Sequence, residues 1–215
     1  MTATDPRPSG APAPRRSRRA ARRRGSGSRL LGVAAGLLLL SAAVGVQSIR
    51  LTPEELSAPI TYVGAKGDTV DAKRFTVRLN SFTAAKAVKT HTKTVSTDNL
   101  FLIVDASAKS SLKPYHLGQP VLLTADGKRF DATDRVDQSA TLATKWIQPD
   151  IWAGGRFFFE VPAAVLPEAR VIFRLPPELL VEQYPPEVEV DLGLTEEGAR
   201  KLAATPQDVY STVEK

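Results

Sequence analysis

The sequence predicts an all-β, antiparallel sandwich of about seven or eight strands, preceded by an N-terminal transmembrane helix and followed by a short C-terminal helix. Three observations predict it. The run Leu30 to Ile49 holds twenty residues without a charge and follows a cluster of arginines. Beyond residue 62, short segments alternate apolar and polar residues, as half-buried strands do. The turns between them are too closely spaced for the crossover helices that a parallel sheet requires.

Charge divides the chain first. Nine arginines (Arg7, Arg15, Arg16, Arg18, Arg19, Arg22, Arg23, Arg24 and Arg29) stand against one acid, Asp5, so residues 1–29 carry +8 while the whole 215-residue chain carries +6. Everything after residue 29 therefore sums to −2, and the folded part lacks the basic field that nucleic-acid binding needs; no nucleic-acid partner is expected. Rich in Pro, Ala, Ser, Gly and Arg, the tail has nothing to bury and reads as disordered. Twenty helical residues rise roughly 30 Å, the thickness of a bilayer's hydrocarbon core. Arginines on the N-terminal flank then place residues 1–29 in the cytoplasm and the chain after Arg50 outside, so the membrane itself is an expected partner, with a membrane-protein or cell-envelope partner beside it. The rival reading is a cleaved signal, with "SAAVGV" supplying the cleavage site and the remainder secreted; the apolar run is long for that, since such regions usually span 7 to 15 residues. With no cysteine, the chain has neither disulfides nor a lipobox, and its outer domain must rest on a hydrophobic core.

Residues 50–62, "RLTPEELSAPITY", contain Pro53 and Pro59 and read as a spacer, with a single turn begun by Thr52 and Pro53. The sandwich is expected over residues 63–194, opening with a weak strand near Thr69. "RFTVRLNSF" sends Phe75, Val77 and Leu79 to one face and Arg74, Thr76, Arg78 and Asn80 to the other. "AAKAVKTHTKT" reads as a long hairpin loop whose Lys86, Lys89, His91 and Lys93 form the one basic run outside the tail, a soluble loop or a contact for anionic polymer or headgroups. "NLFLIVDASA", apolar on both faces from Leu100 to Val104, reads as a central strand covered on both sides. In "PVLLTADGKRF" the Asp126-Gly127 step predicts a hairpin, because its turn needs a positive φ. "DRV", "RFFFEV", "ARVIFRL" and "EVEVDL" supply further short strands, separated by turns at Pro162, Pro167, Pro176, Pro177, Pro185 and Pro186. The helix "LTEEGARKLAATP" follows within residues 195–215, with Thr195 as N-cap, Glu196 and Glu197 at its positive end and Pro206 as stop.

The order of these motifs carries a resemblance. "G-x-x-V" (Gly67 to Val70), the strand Phe101 to Val104, "LTADGKRF" (Leu123 to Phe130) and then "IQPDIWAGGRFFFEVP" (Ile147 to Pro162) resemble the bacterial telokin-like, immunoglobulin-like DUF4352 domain, especially its membrane-anchored actinobacterial relatives. The likeness covers about residues 60 to 192. It implies an immunoglobulin-like sandwich outside the cell and brings no catalytic residues. The chain departs from the pattern at Asp150, where the family places a glycine after proline.

No catalytic, cofactor-binding or metal-binding residues are expected, and the chain does not read as an enzyme. His91 and His116 stand outside any nucleophile motif and 25 residues apart, too far for a zinc pair of short spacing. Asp131, Asp134 and Asp137 in "DATDRVD" lack the ladder of a calcium loop and have Arg135 among them. Gly154 and Gly155 precede a strand, not a phosphate-binding helix. What remains is aromatic: strand alternation sends Phe157 and Phe159 to the core and Phe158 to the face of Arg156 and Glu160, while Trp152 lies in a loop. Trp152 and Phe158 are therefore the candidate interaction surface.

Overall fold

A computed structural model of the protein describes residues 27–48, 58–176 and 183–213. The expected Thr52 turn, the turn at Pro177 and nearly all of the expected disordered tail lie outside the described residues. The chain divides into two compact units, Met1–Arg50 and Leu51–Lys215.

In the first unit, leucines, alanines and small residues without an interior proline form α1, Gly27–Ser48. Side chains are described over residues 31–46, and all of these are exposed. Among the described residues no helix is long and apolar enough to cross a membrane, a departure from the expected transmembrane helix over Leu30 to Ile49. The helix covers Leu30 to Ser48 of that run, and Ile49 lies outside the described residues.

The second unit is a β-sandwich. Its first sheet takes β1 (Ile60–Ala65), β11 (Pro186–Asp191), β10 (Arg170–Arg174), β6 (Val121–Leu123) and β7 (Arg129–Asp131), in that order. The second takes β12 (Tyr210–Ser211), β3 (Phe75–Lys89), β4 (Thr94–Ser110) and β9 (Ala153–Val161), with β2 (Thr69–Asp71) also paired to β3. β5 (Tyr115–His116) and β8 (Trp146–Ile147) make a small ribbon of their own. Twelve strands among the described residues exceed the expected seven or eight, because the short ribbons carry no alternation that a sequence pattern can register. The sheets are also not purely antiparallel: β1 pairs with β11 in parallel, and β12 with β3. No crossover helix is needed, since Thr61 and Glu187 are 126 positions apart and the rest of the domain forms the connection.

Between the sheets, Phe75, Val77 and Leu79 of β3, Leu102 and Val104 of β4, and Phe157 and Phe159 of β9 pack against Val171, Phe173, Val188 and Val190. The rings of Phe157 and Phe173 meet across this core at 5.9 Å. As expected, Leu100 to Val104 are buried throughout. Thr124 N–H donates to the Lys128 carbonyl at 2.9 Å and Lys128 N–H to the Thr124 hydroxyl at 2.9 Å, closing the β6–β7 hairpin over Gly127 at φ +80°. Helix α2, Glu196–Ala204, begins where predicted, with the Thr195 hydroxyl accepting from Gly198 N–H at 3.1 Å.

Three expectations need correction. The basic stretch is not a long loop: β3 continues through Lys89, and Thr90 N–H closes a tight turn on the Lys93 carbonyl at 2.8 Å. "DRV" is a bend rather than a strand. Phe158 is not at the wet face but 1% exposed, within a second core on the outer side of the β4–β9 sheet. There it joins Ala85, Val88, Val95, Phe101 and Ile103 beneath Val136 and Tyr210. The reason is tertiary cover. Arg135 donates from Nη1 to both Glu160 carboxylate oxygens at 2.7 Å and from Nη2 to the Ser96 carbonyl at 2.9 Å, holding its loop across the strands. Thr133 N–H donates to the Phe158 carbonyl at 2.7 Å, which seats Val136 over the ring.

Candidate functional site

With Phe158 inside, Trp152 is the member of the predicted pair that reaches solvent. It stands 40% exposed where β9 begins. Its indole lies between two cations, the Arg78 guanidinium at 5.3 Å from the ring centre and the Lys109 ammonium at 5.6 Å. Both cations come from the outward positions of β3 and β4, which strand alternation places beside the start of β9. Lys109 also donates to Asp150 at 3.3 Å.

A tight turn aims Trp152 outward. Ile151 N–H donates to the Gln148 carbonyl at 3.4 Å, and Asp150 between them adopts φ +57°. This left-handed conformation is the one glycine accepts most readily, and aspartate is among the few other residues that visit it. The turn is tied to the end of β4: Ser110 N–H donates to the Gln148 carbonyl at 3.1 Å, and Asp150 N–H returns to the Ser110 carbonyl at 3.2 Å. The ribbon then pairs Tyr115 with Ile147 and His116 with Trp146.

These pairings assemble residues that sequence reading left apart. Trp146 is 57% exposed, Ile151 64% and Leu112 83%, all at the same end of the sandwich as Trp152. The His116 and Trp146 rings meet at 3.9 Å, tilted 47° to each other, and buried His116 Nδ1 has no hydrogen-bond partner among the described residues. Tyr115 carries the Arg74 guanidinium at 5.1 Å and the Lys113 ammonium at 5.2 Å. A cleft of about 260 Å³ opens here between Tyr115, His116, Trp146, Leu175 and Pro176. Exposed large apolar side chains grouped with cations suit adhesion to a partner surface better than chemistry on a small substrate.

The other sequence candidates do not converge. His91 lies in the β3–β4 turn and His116 at the opposite end of those strands. Asp137 caps a 3-10 turn by accepting from Ser139 N–H at 2.9 Å, and this bond holds its carboxyl below the usual range. Asp131 ends β7, and Arg135 is committed to Glu160. Among the described residues no group of three His, Asp or Glu side chains is placed to hold a metal ion. Burial pushes the Glu160 carboxyl up, but the Thr97 hydroxyl at 2.5 Å and the Arg135 guanidinium together outweigh it and leave the group below its ordinary value. A second, more polar cleft of about 360 Å³ is lined by His91, Lys145 and Arg156, whose cations are already engaged: Lys145 donates to the Gly154 carbonyl at 2.8 Å, and Arg156 covers the Tyr210 ring at 5.6 Å.

No protein-family model matches the chain, and no curated protein does. Among solved structures, it is similar to an uncharacterized β-sandwich protein from Clostridium difficile 630, at 13% identity over 62% of this chain and 95% of that one, with a TM-score of 0.39. It is similar also to the yjhA protein of Bacillus subtilis, at 11% identity over 60% and 99%, TM-score 0.47. The third is MPT63, a secreted protein of Mycobacterium tuberculosis, at 15% identity over 61% and 98%, TM-score 0.39. At such identities these are likenesses of fold, and they carry no function across.

Proposed function

We propose that the protein is a membrane-attached, extracytoplasmic β-sandwich whose folded domain is a non-catalytic binding or accessory module. The observation that carries this reading is the solvent-facing Trp146 and Trp152 grouped with lysines and arginines at one end of the sandwich. Attachment is supported by the twenty uncharged residues Leu30 to Ile49 and by the arginines before them. The immunoglobulin-like, DUF4352-type likeness rests on the order of its sequence motifs. Cross-linking in membranes followed by affinity isolation should recover a defined partner; repeated recovery of the protein alone would sink the accessory role. Mass spectrometry of the mature N-terminus tests attachment separately, and a chain starting near Val46 would overturn it.

One observation favours a second reading, a cleaved signal and a free secreted domain: among the described residues no helix is long and apolar enough to cross a membrane. The same N-terminal measurement separates the two. A cell-envelope enzyme using carboxylates would instead require two convergent acids, and the enclosed acids Glu160 and Glu189 are bound, Glu160 by Arg135 and Thr97 and Glu189 by Arg170.

A further inference from the structure

We infer that the tryptophan-bearing end of the sandwich docks on the anionic lipid headgroups of the membrane to which the protein is attached. The inference rests on the attachment proposed above and adds which face meets the bilayer and which lipid charge it selects.

The first support is where the chain enters the domain. β1 begins at Ile60, opposite Pro186, and the next position of β11, Glu187, pairs with Arg174 at the end of β10. Leu175 and Pro176, directly after Arg174, wall the Trp146 cleft. The first strand therefore starts at the tryptophan-bearing end. Ten residues, 50–59, lie between the apolar run and Ile60, a reach of at most about 35 Å even when fully extended. The attachment proposed above therefore joins the domain at this end.

The second support is chemistry. Tryptophan prefers the boundary between headgroups and acyl chains, and lysine and arginine are drawn to anionic lipid. Trp146, Trp152 and Ile151 supply apolar surface; Arg74, Arg78, Lys109 and Lys113 stand around the aromatic rings. Asp150 is paired with Lys109 at 3.3 Å and Asp71 with Lys73 at 3.9 Å, so neither acid reverses the local excess of positive charge. Asp131 and Asp134 line a neighbouring cleft that shares Leu175 and Pro176.

Trp146 and Trp152 are the two tryptophans of the chain, so fluorescence reads this face directly. Full-length protein is reconstituted with phosphatidylcholine vesicles, with and without phosphatidylglycerol, and followed by tryptophan emission, acrylamide quenching and flotation. With phosphatidylglycerol, emission shifts to the blue and quenching falls severalfold, and high salt reverses both. Arg78→Glu with Lys109→Glu, or Lys113→Glu in the loop if the pair fails to fold, abolishes the shift and leaves flotation unchanged. Flotation with the same emission in both vesicles overturns the docking and leaves attachment standing. Failure to float with either overturns both. Flotation with anionic vesicles alone, accompanied by the shift, supports the docking and removes the anchor. A shift that grows with protein concentration in neutral vesicles assigns the face to a second copy and overturns the lipid assignment.

Discussion

Phe158 and Trp152 were equivalent in the sequence and are opposite in the structure. Phe158 meets the Tyr210 ring edge-on at 6.4 Å and is sealed by Val136, whereas Trp152 touches solvent and two cations. Phe158→Ala should therefore cost about 3–5 kcal/mol, the usual range for deleting a buried phenylalanine, as read by urea unfolding. Trp152→Ala should cost no more than about 1 kcal/mol, because exposed cation–ring contacts are worth little. A large loss at Trp152 would make it packing rather than surface. A second prediction concerns protons. The folded state lowers the Glu160 carboxyl below its unfolded value, so it binds fewer protons when folded, and its contribution is complete above the unfolded carboxylate pKa. That contribution disappears as pH falls through the lowered value. Asp126 behaves alike: its hydrogen bond with Lys128, then that with the Thr124 hydroxyl, bring it down to about 2 from 3.8, so its share is lost between roughly pH 4 and pH 2. Melting temperature measured from pH 6 to pH 2 should fall less steeply in Glu160→Gln and in Asp126→Asn than in the parent.

Elements are legible where a strand has a wet and a dry face or a continuous apolar run, and less so where a strand is very short or its cover is distant in sequence. β3 alternates cleanly through Phe75, Val77 and Leu79, and the Thr195 cap announces α2 by side-chain chemistry alone. The ribbon of β5 and β8 went unseen because two residues per strand show no period. The covering segment "DATDRVD" offers local pattern only a short strand at "DRV", because five of its seven residues are polar; what seats it is Val136 and the distant Glu160, neither apparent from local pattern. This loop yields a third prediction. Gly155 faces Leu142, and a Cβ there would lie 2.8 Å from Leu142 Cβ and 3.0 Å from its Cα, so Gly155→Ala must push the turn at Leu142–Thr144 away from β9. A loss of about 1–3 kcal/mol in unfolding free energy is expected, and hydrogen exchange should rise first in this loop.

At the scale of the molecule, the first and last strands of the folded unit complete the two sheets: β1 joins the first through β11, and β12 joins the second through β3. Truncation before Gln207 should uncover Phe158 and Val88, remove the Gln207 N–H bond to the Ala84 carbonyl at 2.8 Å, and lower the melting temperature in one cooperative transition. A second, independent transition would show instead that the C-terminal segment is peripheral. Taken by itself, the sequence determined the apolar and arginine-rich N-terminal stretch, the sandwich class, the β6–β7 hairpin and the capped helix, because composition, two-residue periodicity and turn chemistry act between near neighbours. Only the tertiary structure decided that Phe158 is core, that terminal strands pair in parallel, and that Trp146, Trp152 and their cations share one end. Those outcomes depend on which distant segment covers a face, and contacts between residues far apart in the chain leave no periodic trace in it.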